Sequence, residues 1–130
     1  MKGPEAKLWQ RLHLKLHDVF WTRIENSAST GIPDLYGAAQ DRSFFIELKC
    51  TKSSSLRISP TQVSWNYSNV SNGGRSFFLA ETLFDGTLHV YGGKSGKDLV
   101  KWGLKTVPIA TFPAPWDTQK LLHCLKYHKF

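Results

Sequence analysis

The residues best suited to chemistry are Asp34, next to Pro33, and, after twelve intervening residues, the run Glu47-Leu48-Lys49. On a strand, Glu47 and Lys49 leave the same face. Charges at alternate positions of an otherwise apolar strand are costly to bury without partners. They therefore belong either to an ion pair or solvent-facing sheet surface, or to an active site. A turn over residues 37–42 would fold the Asp34 segment back against the Glu47 strand, bringing both carboxylates within reach of one divalent ion. Two carboxylates are hard oxygen ligands of the kind Mg²⁺ takes, leaving its other positions to water and phosphate oxygens. Such an ion eases deprotonation of bound water and offsets charge developing on a phosphate. A lysine beside it can orient the attacking water or stabilise the transition state. Short acid-x-lysine patterns also arise by chance, so the surrounding elements decide how much weight the spacing carries.

Those elements are legible. Ser43 to Cys50 alternates as a strand, with Phe44, Ile46, Leu48 and Cys50 on one face and Ser43, Phe45, Glu47 and Lys49 on the other. Before it, residues 19–25 are rich in β-branched and aromatic side chains and predict a strand, and Ile32–Tyr36 predicts a short extended segment. The chain opens with a helix signal: Pro4 suits a first turn, and Leu8, Leu12 and Leu16 recur at helical spacing with Glu5 on the same stripe. Glu5 is then either an exposed first-turn acid favoured by the helix dipole or an acid aimed into a site beside the helix. After a basic, serine-rich loop at 51–58, Ser59, Pro60 and Gln62 form an N-cap, a first helical residue and a capping-box partner. Val63, Tyr67 and Val70 are the expected buried stripe of that helix, which Asn72-Gly73-Gly74 ends. Strands are expected at 75–80 and 87–91, a flexible loop at 92–96, a short basic helix at 97–105, and an irregular or edge segment at 106–116. Asp117 or Thr118 caps a last helix with Leu121, Leu122, Leu125 and Phe130 on its apolar side. The order is mixed α/β around a small sheet.

The run Gly31-Ile32-Pro33-Asp34-Leu35, followed by Phe45-Ile46-Glu47-Leu48-Lys49, resembles the PD-(D/E)xK nuclease superfamily. Ser59-Pro60-Thr61-Gln62 is similar to the next helix start in its VRR-NUC-like and Holliday-junction-resolvase-like branches. The resemblance covers roughly residues 5–80 and implies an αβββαβ core that binds Mg²⁺ or Mn²⁺ and hydrolyses DNA phosphodiesters. It makes Asp34 and Glu47 metal ligands, with Glu5 and the Leu48 backbone carbonyl completing the set, Lys49 the catalytic lysine, and Gln62 a supporting residue. Glu25 is an alternative to Glu5. Two features depart from the pattern: Cys50 and Thr51–Ser55 stand where a glycine- or proline-rich turn is common, and nothing after about residue 92 matches.

Charge agrees with a polyanionic partner without naming one. Of the formal +7, residues 1–50 carry seven basic and six acidic side chains, and residues 51–130 carry ten and four. Lys52, Arg57, Arg75, Lys94 and Lys97 are the expected phosphate contacts, with Lys101 and Lys105 beyond them. Such residues position a backbone without reading bases, so cleavage is expected to be structure-selective or weakly sequence-selective. The glycine-rich Gly92-Gly93-Lys94-Ser95-Gly96 lacks the spacing and strand context of a phosphate loop, so no nucleotide cofactor is expected. His13 and His17 share a helix face but no zinc motif surrounds them, and they are expected to be exposed. Cys50 and Cys124 fit neither a metal pair nor a disulfide scaffold. No apolar run approaches the roughly 18 residues of a membrane span, and the start is not a secretory signal. The expectation is one nuclease domain over 1–130, with a core at about 4–92 and an extension at 93–130. It would act in the cytoplasm in recombination, repair or phage DNA processing, as a homodimer, with Leu121–Leu125 either supplying part of the interface or closing the core. The rival readings are a non-cutting DNA-binding module on the same fold and a subunit of a replication or packaging complex.

Overall fold

A computed structural model describes residues 1–24 and 30–130. Its α/β fold is one six-stranded mixed sheet in the order β1-β2-β3-β4-β5-β6, with helices on both faces. The strands are β1 (Phe20–Arg23), β2 (Leu35–Ala39), β3 (Arg42–Thr51), β4 (Ser76–Thr82), β5 (Thr87–Gly92) and β6 (Ala110–Phe112). The helices are α1 (Gly3–Lys15), α2 (Pro60–Ser71), α3 (Gly96–Trp102) and α4 (Thr118–Tyr127). Only β3 and β4 are parallel. A parallel pair needs a long crossover, and α2 supplies it.

β4 explains the layering. All seven of its residues are buried, as expected of a central strand covered on both sides. Phe77 and Leu79 join one core with Leu8 and Leu12 of α1, Leu121 and Leu125 of α4, and Phe44, Ile46 and Leu48 of β3. Phe78 and Ala80 join a second core with Ile58, Tyr91 and Leu99, packed by Val63. The alternation read in β3 therefore holds: its apolar face meets α1, and the face bearing Glu47 meets α2. Glu47 is only 3% exposed, so it is no solvent-facing surface acid.

Several expectations need correction. The turn expected over 37–42 is shorter: β2 continues through Ala39, and Gln40-Asp41 alone connect it to Arg42, with Gln40 in the left-handed region at φ 57°. Tyr67 is 51% exposed, and Asn66, hydrogen-bonded through Nδ2 to the Gln62 carbonyl, takes the buried position instead. The segment 92–96 is the end of β5 followed by a 3-10 turn (Gly93–Ser95) and the start of α3. A strand does precede this glycine cluster, yet its glycines serve packing: a Cβ on Gly93 would lie 2.9 Å from the Val70 and Ser76 side chains. The basic helix ends at Trp102 and gives way to a 3-10 turn over Gly103–Lys105. Two expectations hold beyond it: 106–116 is an edge, adding β6 to the sheet, and Asp117 caps α4 by accepting from the Lys120 amide at 3.1 Å. Leu121 and Leu125 are fully buried in this chain's own core rather than standing free for a second copy. Among the described residues, no helix is long and apolar enough to cross a membrane.

Candidate active site

The site grows from an unfinished sheet edge. β2 begins opposite Ile46, so among the described residues the amides of Leu48 and Cys50 on that side of β3 have no strand to pair with. Two carboxylates take them. Asp34 Oδ2 accepts from the Leu48 amide at 2.9 Å, and Glu5 Oε2 accepts from the Cys50 amide at 2.9 Å. In an extended strand a residue's N–H and C=O point to the same side, so the Leu48 carbonyl opens toward Asp34. Asp34 is placed by its flanks. Its carbonyl accepts from the Ile24 amide at 2.8 Å. Gly31 adopts φ +75° against the first turn of α2, where a Cβ would come 2.1 Å from the Thr61 carbonyl oxygen. Only glycine fits that crossing.

On the α2 face, Gln62 organises the rest. Its Oε1 accepts from the Ser59 amide and from Lys49 Nζ, both at 3.0 Å, and its Nε2 donates to Glu47 Oε2 at 3.1 Å. The capping box is present in full. Cap and site are thus one arrangement: the helix start that needs Gln62 for its own backbone also aims the amide at the buried acid. Lys49 Nζ stands 3.6 Å from Glu47 Oε2, while Glu47 Oε1 is buried with no hydrogen-bond partner among the described residues. Burial, followed by the neighbouring Asp34 carboxylate, drives the Glu47 carboxyl up to about 9, against the partial relief of Lys49. Two acids thus crowd together with one lysine to offset them, a site short of positive charge.

These groups line a cleft of about 650 Å³, which Glu5, Asp34, Glu47 and Lys49 share with Lys52 and Arg57 from the loop after β3. Met1 and Lys2 also line it; they lie beside Glu5 but no sequence pattern marks them. Among the described residues, no group of three His, Cys, Asp or Glu side chains is gathered as a metal cage; Glu5 lines the same cleft as Asp34 and Glu47 with its Oε2 on the Cys50 amide. The Asp34–Glu47 pair nonetheless fits a hard divalent cation: it is acidic, oxygen-only, and includes a buried oxygen without a partner among the described residues.

Other expected site residues lie elsewhere. Arg75 caps the end of α4, donating to the carbonyls of Leu125 at 2.8 and 3.0 Å and His128 at 2.8 Å, so its guanidinium is committed to the fold and not to phosphate. Lys94 stands over the Tyr67 ring, and Lys97 lines a separate groove between α2 and α3; neither lines the cleft. Glu25 falls outside the described residues. His13 is half-buried, stacked on Trp9 at 4.6 Å, while His17 is exposed beside Asp18. The Cys50 thiol is pushed up to about 12 by burial and then by Glu5 and Glu81, which disfavours the thiolate. The sequence reading missed the ion pair of Arg11 with Glu81, a residue 1% exposed and paired in register with Cys50. No protein-family model and no curated protein sequence matches this chain.

Proposed function

We propose that this chain is a divalent-metal-dependent nuclease that hydrolyses DNA phosphodiesters on a PD-(D/E)xK-type core, with Mg²⁺ or Mn²⁺ as cofactor. The observation that carries the reading is Glu47: a buried carboxyl with one unpartnered oxygen, beside a second carboxylate, tied through Gln62 to a lysine. Asp34 and Glu47 would hold the ion, with the Leu48 carbonyl and Glu5 at its margin. When bound, the ion would acidify water and offset charge on the scissile phosphate. Lys49, positioned by Gln62, would stabilise charge developing on the phosphate oxygens. Lys52 and Arg57 would hold the backbone of the cut strand in the cleft, independently of sequence. Structure-selective endonuclease action in recombination, repair or phage DNA processing is the finer form of the proposal.

The rival reading, a DNA-binding module that does not cut, draws on one specific observation. Asp34 and Glu5 each already cap a strand amide, a purely structural use of a carboxylate. It leaves the Glu47 oxygen and the Lys49–Gln62 link without a reason. Cleavage of labelled linear, flapped and four-way DNA in Mg²⁺, Mn²⁺ or EDTA decides between them, with Glu47→Ala and Lys49→Ala beside the wild type. The nuclease cuts only with metal and loses cutting in both variants. Tight binding with no cutting under either metal establishes the module instead.

A further inference from the structure

The two halves of the cleft have separate supports. The acidic half, Glu47 with Gln62 and Lys49, is fixed by the capping box of α2. The basic half is the loop after β3, where Lys52, Leu56 and Arg57 line the cleft. Its tip, Ser53 to Ser55, is exposed. A brace for that tip comes from the turn after α3, beyond the part of the chain that resembles the nuclease family. The Leu104 amide donates to the Ser54 carbonyl at 2.8 Å. Gly103 crosses the same carbonyl so closely that a Cβ would lie 2.0 Å from its oxygen, and its φ of +57° favours glycine. The Leu56 and Leu104 side chains both pack against the second core. The turn is itself held in place: the fully buried Tyr91 donates its hydroxyl to the Leu104 carbonyl at 3.3 Å, and the Thr106 amide donates to the Gly103 carbonyl at 3.0 Å. Ser54 stands between Lys52 and Arg57 in the chain, so the contact fixes the backbone that carries both cations.

We infer that Gly103 and Leu104 are positioning residues for the cleft: by pinning Ser54 they hold Lys52 and Arg57 toward the phosphates of bound DNA. The inference deepens the nuclease reading and rests on it for its ligand, though the binding itself requires no cutting. An exposed loop of serines between two long cations samples many shapes unless it is tied down, and ordering it at the moment of binding weakens affinity. A loop already braced by a rigid turn avoids that loss. Because the capping box anchors Glu47 from another element, loosening the loop lowers phosphate binding and leaves the metal pair in place.

The test is duplex binding by fluorescence anisotropy across a salt series in EDTA, for Gly103→Ala, for Lys52→Ala/Arg57→Ala, and for the triple variant that combines them. Lys52→Ala/Arg57→Ala lowers the salt slope by about 1.8, about 0.9 per phosphate contact. Gly103→Ala lowers it too although both cations are still present, and in the triple variant the two losses do not add. In Mn²⁺, Gly103→Ala raises the KM for duplex cutting and keeps kcat, the mark of lost ground-state binding, and the Mn²⁺-induced rise in melting temperature persists. A merely structural Gly103 lowers the melting temperature and leaves the salt slope of the folded protein unchanged. That result overturns the inference, as does an unchanged slope in Lys52→Ala/Arg57→Ala. Should Gly103→Ala not fold, the unaltered protein decides. Coupling between sites is reciprocal, so duplex bound in EDTA slows hydrogen exchange of the Leu104 amide and leaves that of Gly73, at the far end of α2, unchanged. An unaltered Leu104 rate overturns the inference. The two readings fail separately. A Gly103-dependent slope without cutting under any metal removes the nuclease and keeps the positioning role, whereas Glu47-dependent cutting with a slope indifferent to Gly103 does the reverse.

Discussion

Two glutamates are buried on neighbouring central strands, and the protein treats them differently. Glu81 on β4, 1% exposed, faces α1, where both of its oxygens are taken by the Arg11 guanidinium, one at 2.6 Å. Glu47 on β3, 3% exposed, faces α2, where one oxygen is shared between the Gln62 amide and Lys49 and the other has no partner among the described residues. A buried charge is tolerable when a planar, bidentate partner satisfies it and costly when it is left incomplete. By that measure Glu81 is architecture, fastening α1 to the sheet, while Glu47 is left incomplete among the described residues, which is the state the proposed metal would complete. Proteins break such rules mainly where function demands it.

Glu47→Gln is the sharpest way to break the comparison. It should lower metal-dependent cutting on the order of 10²–10³-fold, by the measure of losing one charge-stabilising group. The same substitution should raise stability. Folding lifts this carboxyl from its ordinary 4.5 to about 9, so the folded protein holds the proton more tightly than the unfolded chain. The favourable contribution is therefore complete below pH 4.5 and lost as pH rises toward 9. A neutral amide escapes that loss, by up to about 3.5 kcal/mol at pH 7, from about 2.5 pH units at ~1.4 kcal/mol each. Thermal melts of both proteins from pH 4 to 9 should diverge with rising pH; parallel curves would mean that Glu47 is not destabilised as the structure indicates.

Glu81→Gln should do the opposite. Breaking a buried pair leaves the partner charge uncompensated, and here the loss should be about 3 kcal/mol, the low end of the range, because Arg11 can turn to solvent. Arg11 keeps 42% of its side chain exposed. Urea unfolding measures this directly, and the paired change Arg11→Met/Glu81→Leu should recover most of the loss, since apolar packing replaces both charges at once. Recovery would mark the pair as structural. Failure to recover, with cutting also lost, would move Glu81 into the site.

The contrast between the glutamates also separates what the sequence made legible from what it did not. The pairing of Asp34 with Glu47, the Lys49 neighbour and the Gln62 capping box could be read because strand alternation and helix-start chemistry act over a few residues. The strands of the hairpin and α2 followed from the same local rules. The Arg11–Glu81 pair spans 70 residues of sequence, and Arg75 meets the end of α4 across 50. No periodicity carries such contacts. Tyr67 departs from its expected place for a related reason: spacing predicts an apolar stripe on α2, yet Asn66 takes the buried position with a hydrogen bond to the helix's own backbone. Reading 92–96 as a loop overweighted glycine, whose close fit to Val70 and Val63 depends on a crossover that only the fold reveals.

Metal should complete Glu47 and leave Glu81 untouched. An ion that binds the folded protein alone stabilises it by about 2.7 kcal/mol at a hundredfold excess over its dissociation constant. Adding Mn²⁺ or Mg²⁺ at pH 7 should therefore raise the wild-type melting temperature and release protons, because the ion favours the ionised carboxylate. The Glu47→Gln protein should show neither change, while a Glu81→Gln protein, starting from a lower melting temperature, should show both. A metal-induced rise that survives Glu47→Gln would place the ion elsewhere.

The smallest effects sort the basic residues by the same distinction. Arg75 resembles Glu81 in having its polar atoms spent within the fold, on the last carbonyls of α4. Arg75→Met should cost about 1–2 kcal/mol of stability through lost hydrogen bonds, with DNA affinity unchanged once folding is accounted for. Lys52 and Arg57 resemble Glu47: both are exposed on the cleft wall. Lys52→Ala or Arg57→Ala should leave the melting temperature in place and lower the salt slope of duplex binding by about 0.9 each, one phosphate contact apiece. Salt titrations in EDTA separate the two classes, since a structural arginine alters the fraction of folded protein and not the number of counterions released. If Arg75→Met flattened the slope while Arg57→Ala did not, DNA would lie along the α4 end of the sheet, and the cleft beside Glu47 would lose its claim to the scissile phosphate.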